Sequence, residues 1–209
     1  MLNKKTKKLV IISVLILALI GASVKIVTLN INAERPVIEQ YQMGEFVPLE
    51  DNYHDFSDEN MQGYEIKVNS AEVLSYEEFL LKHNLKHEDI PVEEYSELPK
   101  YVYDLNITIK KTVVTDLDYE GISLASTRLY SNNDTFQISD ELFGALYPHL
   151  YLSWGLKLRP SSEMQIHFPY VPLPINEPYY TIDSIKKTNF SLRICQYPVQ
   201  KKILIFPDN

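Results

Sequence analysis

The chain has 209 residues, of which 45% are hydrophobic and 23% are charged, and this suits one globular domain with an appendage. Its net charge of −8 is unevenly distributed, because five lysines and no acid precede Glu34, whereas 28 acids face 15 bases from there on. A field of that sign repels phosphate backbones, so we expect no nucleic-acid partner. The single cysteine, Cys195, excludes an intramolecular disulfide and a cysteine-based zinc site.

The first 29 residues predict a membrane anchor. Residues 1–8 carry four lysines and form a basic cytoplasmic tail, while residues 9–29 are mostly apolar and carry no charge apart from Lys25. As a helix the second segment is about 31 Å long, enough to span the hydrocarbon of a lipid bilayer. No convincing small-residue cleavage site follows, so we expect an uncleaved, single-pass signal anchor at the cell membrane, with the rest of the chain outside the cytoplasm.

The next segment, residues 30–62, holds eight acids and one base and predicts an extended acidic tether. Packing of Tyr41, Phe46 or Tyr53 against the main domain stays open. Regular patterning starts at Gly63, which places a folded domain at residues 63–209.

Alternation of apolar and polar residues predicts seven or eight short strands in this domain. The clearest runs from Tyr101 to Val114, with Ile107 on its core face. Ser75 and Ser139 are N-caps that predict two short helices. The predicted strands lie near 64–69, 101–114, 122–130, 135–138, 156–158, 163–168, 190–197 and 201–206. Many short strands and few helices favour an antiparallel β-sandwich over an alternating α/β fold.

Three segments carry a resemblance to a known family. They are Tyr64–Ser70, Tyr103–Ile109 and the turn and strand Leu158–Pro169. In this order they resemble the immunoglobulin-like, telokin-like domains of uncharacterised proteins of Gram-positive bacteria that are membrane-anchored or secreted. The resemblance implies an immunoglobulin-like sandwich outside the membrane. It implies no catalytic residue.

Candidate chemistry is sparse in the sequence. Cys195 has no neighbouring histidine, and the pair His83 and His87 is separated by a predicted helix end, so we expect neither a nucleophile nor a metal centre there, and no cofactor. One acidic turn contains Asp116, Asp118 and Glu120. We expect these carboxylates to be solvated, and weak binding of calcium is the alternative.

A cluster of aromatic residues and prolines predicts the binding surface. Its candidate residues are Tyr151, Trp154, Tyr170, Tyr179 and Tyr180, and the competing interpretation is that these rings close one end of the core. We therefore predict a non-enzymatic module that binds an envelope protein or a small ligand. The alternatives are an envelope hydrolase that uses paired carboxylates, either Glu93 with Glu94 or Asp116 with Asp118, and a purely structural subunit of a membrane complex.

Overall fold

The structure, a computed structural model, describes residues 3–32, 37–54, 61–91, 98–112, 121–124, 126–150, 155–173 and 177–208. The helices are α1 (Lys4–Asn32), α2 (Tyr76–Lys82), α3 (Asp140–Leu146) and α4 (Ile182–Lys187), with 3-10 turns at His87–Asp89 and Glu177–Tyr179. The strands are β1 (Val37–Tyr41), β2 (Val47–Pro48), β3 (Tyr64–Ser75), β4 (Tyr101–Lys111), β5 (Ile122–Ser123), β6 (Arg128–Tyr130), β7 (Thr135–Ile138), β8 (Gly155–Leu156), β9 (Ser162–Pro172), β10 (Phe190–Cys195) and β11 (Val199–Ile205). The fold is mainly β, as the alternation predicted.

Helix α1 lies in the first of two units, residues Met1–Arg35, and the sheet lies in the second, Pro36–Asn209. Taking the described residues alone, no helix combines the length and the hydrophobicity that crossing a bilayer requires. The transmembrane segment therefore stays a prediction from the sequence.

Nine strands of the second unit form one sheet in the order β1-β11-β10-β6-β7-β9-β4-β3-β2, and β5 pairs separately with β8. The ring of Tyr103 on β4 lies 5.5 Å from that of Phe190 on β10, although three strands separate them in the sheet order. Contact at that separation requires the sheet to curl over itself, so that its two halves enclose the core. The immunoglobulin-like prediction expected two separate antiparallel sheets, whereas the halves here are continuous, and β1 pairs with β11 in parallel.

The core lies between the two halves, as the alternation on β4 predicted. Leu105, Ile107 and Ile109 face it with at most 2% of their surface exposed. A smaller apolar cluster lies on the other face of β4 and β9, where Phe79 of α2 and Leu142 of α3 are fully buried. The outer face of these strands is therefore covered by short helices, and this cover positions the site described below.

The predicted tether is wrong over most of its length. Strands β1 and β2 lie inside segment 30–62, yet they form the two ends of the nine-stranded sheet. Val47 and Leu49 are fully buried, and the backbone N–H of Gly44 donates to the carbonyl of Val68 at 2.9 Å. Because β1 and β2 follow each other in the chain, their connection joins the two ends of the sheet and closes the core. The domain thus begins near Pro36.

Candidate functional site

A polar cluster lies on the outer face of β3, β4 and β9, beneath the end of α2. Strand pairing sets Glu72 opposite Asp104, and Asn106 opposite His167. Because side chains on one face of a strand recur every second residue, Asp104 and Asn106 share that outer face. Pairing across three strands therefore assembles polar side chains that are distant in the sequence.

Helix α2 adds two cationic or titratable groups to this cluster. Ser75 caps the helix with a complete capping box, in which the Ser75 hydroxyl oxygen accepts from the backbone N–H of Glu78 and the Glu78 carboxylate accepts from the backbone N–H of Ser75. The buried Phe79 holds the helix against the sheet. Lys82 and His83 follow one turn later at the helix C-terminus, where positive charge is favoured, and both side chains reach β4.

Asp104 is the centre of the cluster, and its side chain has no exposed surface. Its carboxylate accepts hydrogen bonds from Lys82 Nζ at 2.9 Å, from His83 Nε2 at 2.9 Å and from His167 Nδ1 at 3.0 Å. Burial alone would raise the pKa of this carboxyl, but the bonds from His167, His83 and Lys82 outweigh it and hold the pKa well below its ordinary value. Asp104 is therefore an anion in the interior.

An amide network orients His167. The Asn106 oxygen accepts hydrogen bonds from Asn69 at 2.7 Å and from Gln165 at 2.6 Å, so its Nδ2 faces His167 Nε2 at 2.9 Å. In this arrangement His167 Nε2 accepts and its Nδ1 donates to Asp104. The backbone N–H of His167 donates to the Tyr147 hydroxyl at 2.7 Å, and this bond fixes the backbone of β9 at His167.

A bulge in β3 supplies one member of the network. The register of β3 on β4 shifts between Val68 and Ser70, so Asn69 is the extra residue. Bulges redirect side chains near functional sites, and here the Asn69 amide also reaches Thr108 Oγ1 at 2.8 Å.

The cluster is built to hold positive charge against one buried carboxylate. The two imidazole rings are packed edge to face, with centroids 4.7 Å apart, and the side chains of His83 and His167 are 11% and 23% exposed. Lys82 also contacts the partly exposed Glu72 at 2.7 Å. Burial lowers the pKa of Lys82, but its bonds to Glu72 and Asp104 outweigh this effect and raise the pKa. Three donors occupy the Asp104 carboxylate and none of its surface is exposed, so the cluster does not offer this carboxylate for acid–base catalysis.

The aromatic residues predicted to bind do not behave alike. Tyr170 has no exposed surface, and its hydroxyl bonds to Thr127 at 2.7 Å, so it belongs to the core and its assignment to a binding surface is wrong. Tyr180 is partly buried against Phe136 and donates to Asp134. Burial, together with that hydrogen bond, raises the pKa of the Tyr180 hydroxyl. Tyr179 is 83% exposed.

The other predicted residues lie outside the part of the chain that the structure describes. These are the aromatic candidates Tyr151 and Trp154, the calcium candidates Asp116, Asp118 and Glu120, and the carboxylates Glu93 and Glu94 of the hydrolase alternative.

The structure separates the two histidines whose four-residue spacing we rejected as a metal site. His87 bonds to the Tyr76 hydroxyl at 3.2 Å, on its own side of α2, whereas His83 meets His167 from a strand 84 positions later. The signal for His167 in the sequence was its place between the core residues Ile166 and Phe168, which sets it on the face opposite the core.

A separate concave pocket of about 470 Å³ lies where β2 and β3 meet the start of β11, lined among others by Glu50, Asp51 and Glu65. Beside it the ammonium of Lys201, whose side chain is 1% exposed, donates to the carbonyl of Pro48 at 2.7 Å and to Glu50. This buried cation therefore links β11 to β2 and to Glu50, which follows β2.

Comparison with known proteins gives a family but no activity. The family described as "Domain of unknown function (DUF5028)" matches residues 38–201, so the chain belongs to that family. No curated protein matches the chain. One similar solved structure is described as an uncharacterised β-sandwich protein from Clostridium difficile 630; it is 12% identical, with 83% of this chain and 97% of that chain covered and a TM-score of 0.39. The family match begins inside β1, in agreement with a domain that starts well before Gly63.

Proposed function

We propose that this protein is a non-catalytic binding module of the cell envelope, held at the membrane by its N-terminal helix. The observation that carries the binding role is Tyr179, whose side chain is 83% exposed at the end of a short 3-10 turn. Tyrosine is enriched at the energetic centres of protein interfaces, because it combines a large apolar ring with a polar tip.

The neighbours of Tyr179 hold its backbone in place. Tyr180 lies edge to face on Phe136, with ring centroids 5.4 Å apart, and donates a hydrogen bond to Asp134. Thr181 then caps α4 through its hydroxyl. An exposed ring on a fixed backbone loses little conformational entropy when a partner covers it, which favours a protein partner at this surface.

The chemistry of the described residues supports a non-enzymatic role. The Asp104 carboxylate is the most buried acid of the cluster, and three donors occupy it. A catalytic carboxylate needs access to substrate, and this one has no exposed surface.

The membrane part of the proposal is supported by sequence and by exposure. Helix α1 has 29 residues, about 43 Å at the standard rise, against roughly 30 Å of hydrocarbon. Its apolar side chains are exposed at successive positions, with Leu15, Ile16 and Leu17 exposed by 57%, 51% and 68%. A helix that is apolar around its circumference is stable only where an apolar environment covers it, and the preceding lysines favour a cytoplasmic N-terminus.

Site-specific photocrosslinking tests the binding role. A photoreactive phenylalanine analogue replaces Tyr179 in the full chain, in native membranes, and a matched variant carries it in place of Leu81, which is 82% exposed on α2. We expect a discrete adduct from position 179 and none from position 81. No adduct at 179, or the same adducts from both positions, would contradict a binding surface at Tyr179.

A further inference from the structure

We propose that His83, Asp104 and His167 form a binding site for a divalent transition metal, with Zn²⁺ as the best fit. Each residue offers one ligand atom, and these atoms lie within 4.8 Å of one another. The three residues come from the end of α2, from β4 and from β9. The site is independent of the surface at Tyr179.

The separations between the ligand atoms suit a small metal ion. Zinc binds imidazole nitrogen at about 2.0–2.1 Å and carboxylate oxygen at about 2.0–2.2 Å, which sets neighbouring ligands of a tetrahedron roughly 3.3 Å apart. His83 Nε2 and His167 Nδ1 lie 2.9 and 3.0 Å from oxygens of Asp104. Each nitrogen would need to move only a few tenths of an ångström away from Asp104 to reach that spacing, and all three ligand atoms already lie within 4.8 Å of one another.

The ligand types and their burial also favour zinc. Two imidazoles and one carboxylate leave a fourth tetrahedral position for water, and imidazole selects zinc over calcium or magnesium. The partial exposure of His167 (23%) and His83 (11%) opens this position to solvent, while Asp104 stays buried. Asp104 has the Lys82 ammonium as its cationic partner, and a divalent ion would replace it with a larger positive charge on the same carboxylate.

Proton balance is kept without an outside acid or base. The metal takes the place of the proton on His83 Nε2 and of the proton on His167 Nδ1. Each neutral ring then carries its proton on its other nitrogen, as ligating histidines do. No net proton is released when both rings start neutral.

The neighbours of His167 can accept that change. With the metal on Nδ1, Nε2–H needs an acceptor, and rotation of the Asn106 amide presents its oxygen there in place of the nitrogen now 2.9 Å away. The Asn69 and Gln165 amides rotate with it, because each ends in one oxygen and one nitrogen, and the Thr108 hydroxyl can then donate to Asn69. The network thus supplies an outer set of hydrogen bonds for the metal-bound ring.

Lys82 competes with the metal. Its ammonium lies 2.9 Å from the same Asp104 oxygen that His83 contacts. Metal binding would leave Lys82 with Glu72 alone, so the lysine weakens metal affinity by repulsion. Removal of the ammonium should therefore tighten binding.

The test is a zinc titration of the purified full chain in detergent micelles, stripped of metal and set in competition with a chromophoric chelator. We expect one zinc per chain. His167→Gln should weaken the affinity more than tenfold, His87→Gln should leave it unchanged, and Lys82→Gln should tighten it severalfold. His87 is the matched control because it lies four residues from His83 and bonds outside the cluster.

Two readouts on the wild-type chain keep the test independent of how the variants fold. Co²⁺ in place of zinc should give the visible absorption of a four- or five-coordinate site with nitrogen ligands, and zinc should raise the melting temperature. Failure of the wild-type chain to bind zinc would overturn the proposal. So would equal losses in the His87 and His167 variants, or weaker zinc binding in Lys82→Gln.

Discussion

Tyr170 and Tyr103 each bury one hydroxyl, but we expect the removal of these hydroxyls to affect the free energy of unfolding differently. Neither side chain has exposed surface, and each loses only its hydroxyl when it is replaced by Phe. The Thr127 hydroxyl donates to the carbonyl of Leu124 at 2.6 Å and so accepts from Tyr170 at 2.7 Å. The Tyr103 hydroxyl has no hydrogen-bond partner among the described residues.

The magnitudes follow from this difference. Tyr170→Phe removes one buried hydrogen bond and leaves the Thr127 oxygen with an unused lone pair, so it should lower the free energy of unfolding by about 1–2 kcal/mol. Tyr103→Phe removes a buried polar group without a partner, so it should be neutral or stabilise by up to about 1 kcal/mol. For a domain of this size each kcal/mol shifts the melting temperature by about 2–4 °C.

The assay is thermal unfolding of the full chain followed by circular dichroism, supported by urea unfolding at 25 °C. We expect Tyr170→Phe to melt a few degrees below the wild type and Tyr103→Phe to melt at or above it. A Tyr170→Phe variant as stable as the wild type would refute the placement of Tyr170 in the core. A marked loss in Tyr103→Phe would show that its hydroxyl is bonded.

Three further predictions concern the core and the domain boundary. Ile107→Ala should lower the free energy of unfolding, measured in urea, by about 2–5 kcal/mol, because the side chain is 2% exposed. Leu81→Ala, at an exposed position, should change it by less than about 0.5 kcal/mol. Similar effects in the two variants would show that Ile107 does not face the core. A fragment that starts at Pro36 should unfold cooperatively, whereas one that starts at Gly63 should not, since it lacks β1, β2 and the buried side chains of Val47 and Leu49; equal stability of the two would contradict the closure of the sheet by this segment. Burial raises the pKa of the Cys195 thiol to about 11 in the folded protein, so a thiol reagent at pH 8 should modify it slowly in the native protein and rapidly in denaturant, where the burial is lost; rapid modification of the native protein at pH 8 would contradict its burial.

The alternation along β4 was enough to predict its core face from the sequence. The same alternation placed Asp104 and Asn106 on the opposite face, but it could not show that α2 covers Asp104. The rest of the cluster depends on pairing between strands that are distant in the sequence. Asn106, for example, pairs with His167, which lies 61 residues later. Long-range pairing of this kind leaves no local signal in one sequence.

Strand β1 illustrates the same limit at the domain boundary. Val37–Tyr41 is short and lies in an acidic region, so its composition resembled a tether. Its partner is β11, with Val37 opposite Val199 across the sheet. Tyr170 was misplaced because prolines surround it, although β9 continues through Pro172 and directs the ring into the core.

The central proposal is that the domain lies outside the cytoplasm on an N-terminal membrane anchor, and cysteine labelling in intact cells tests it most directly. Cys195 is buried and should stay silent, so one new cysteine reports its own side of the membrane. Asp183→Cys is on the exposed face of α4, and Lys7→Cys lies in the basic tail. We expect a membrane-impermeant maleimide to label position 183 in intact cells and position 7 only after permeabilisation, with the protein in the membrane fraction. Labelling in the reverse order, or recovery of the full chain in the soluble fraction, would contradict the account.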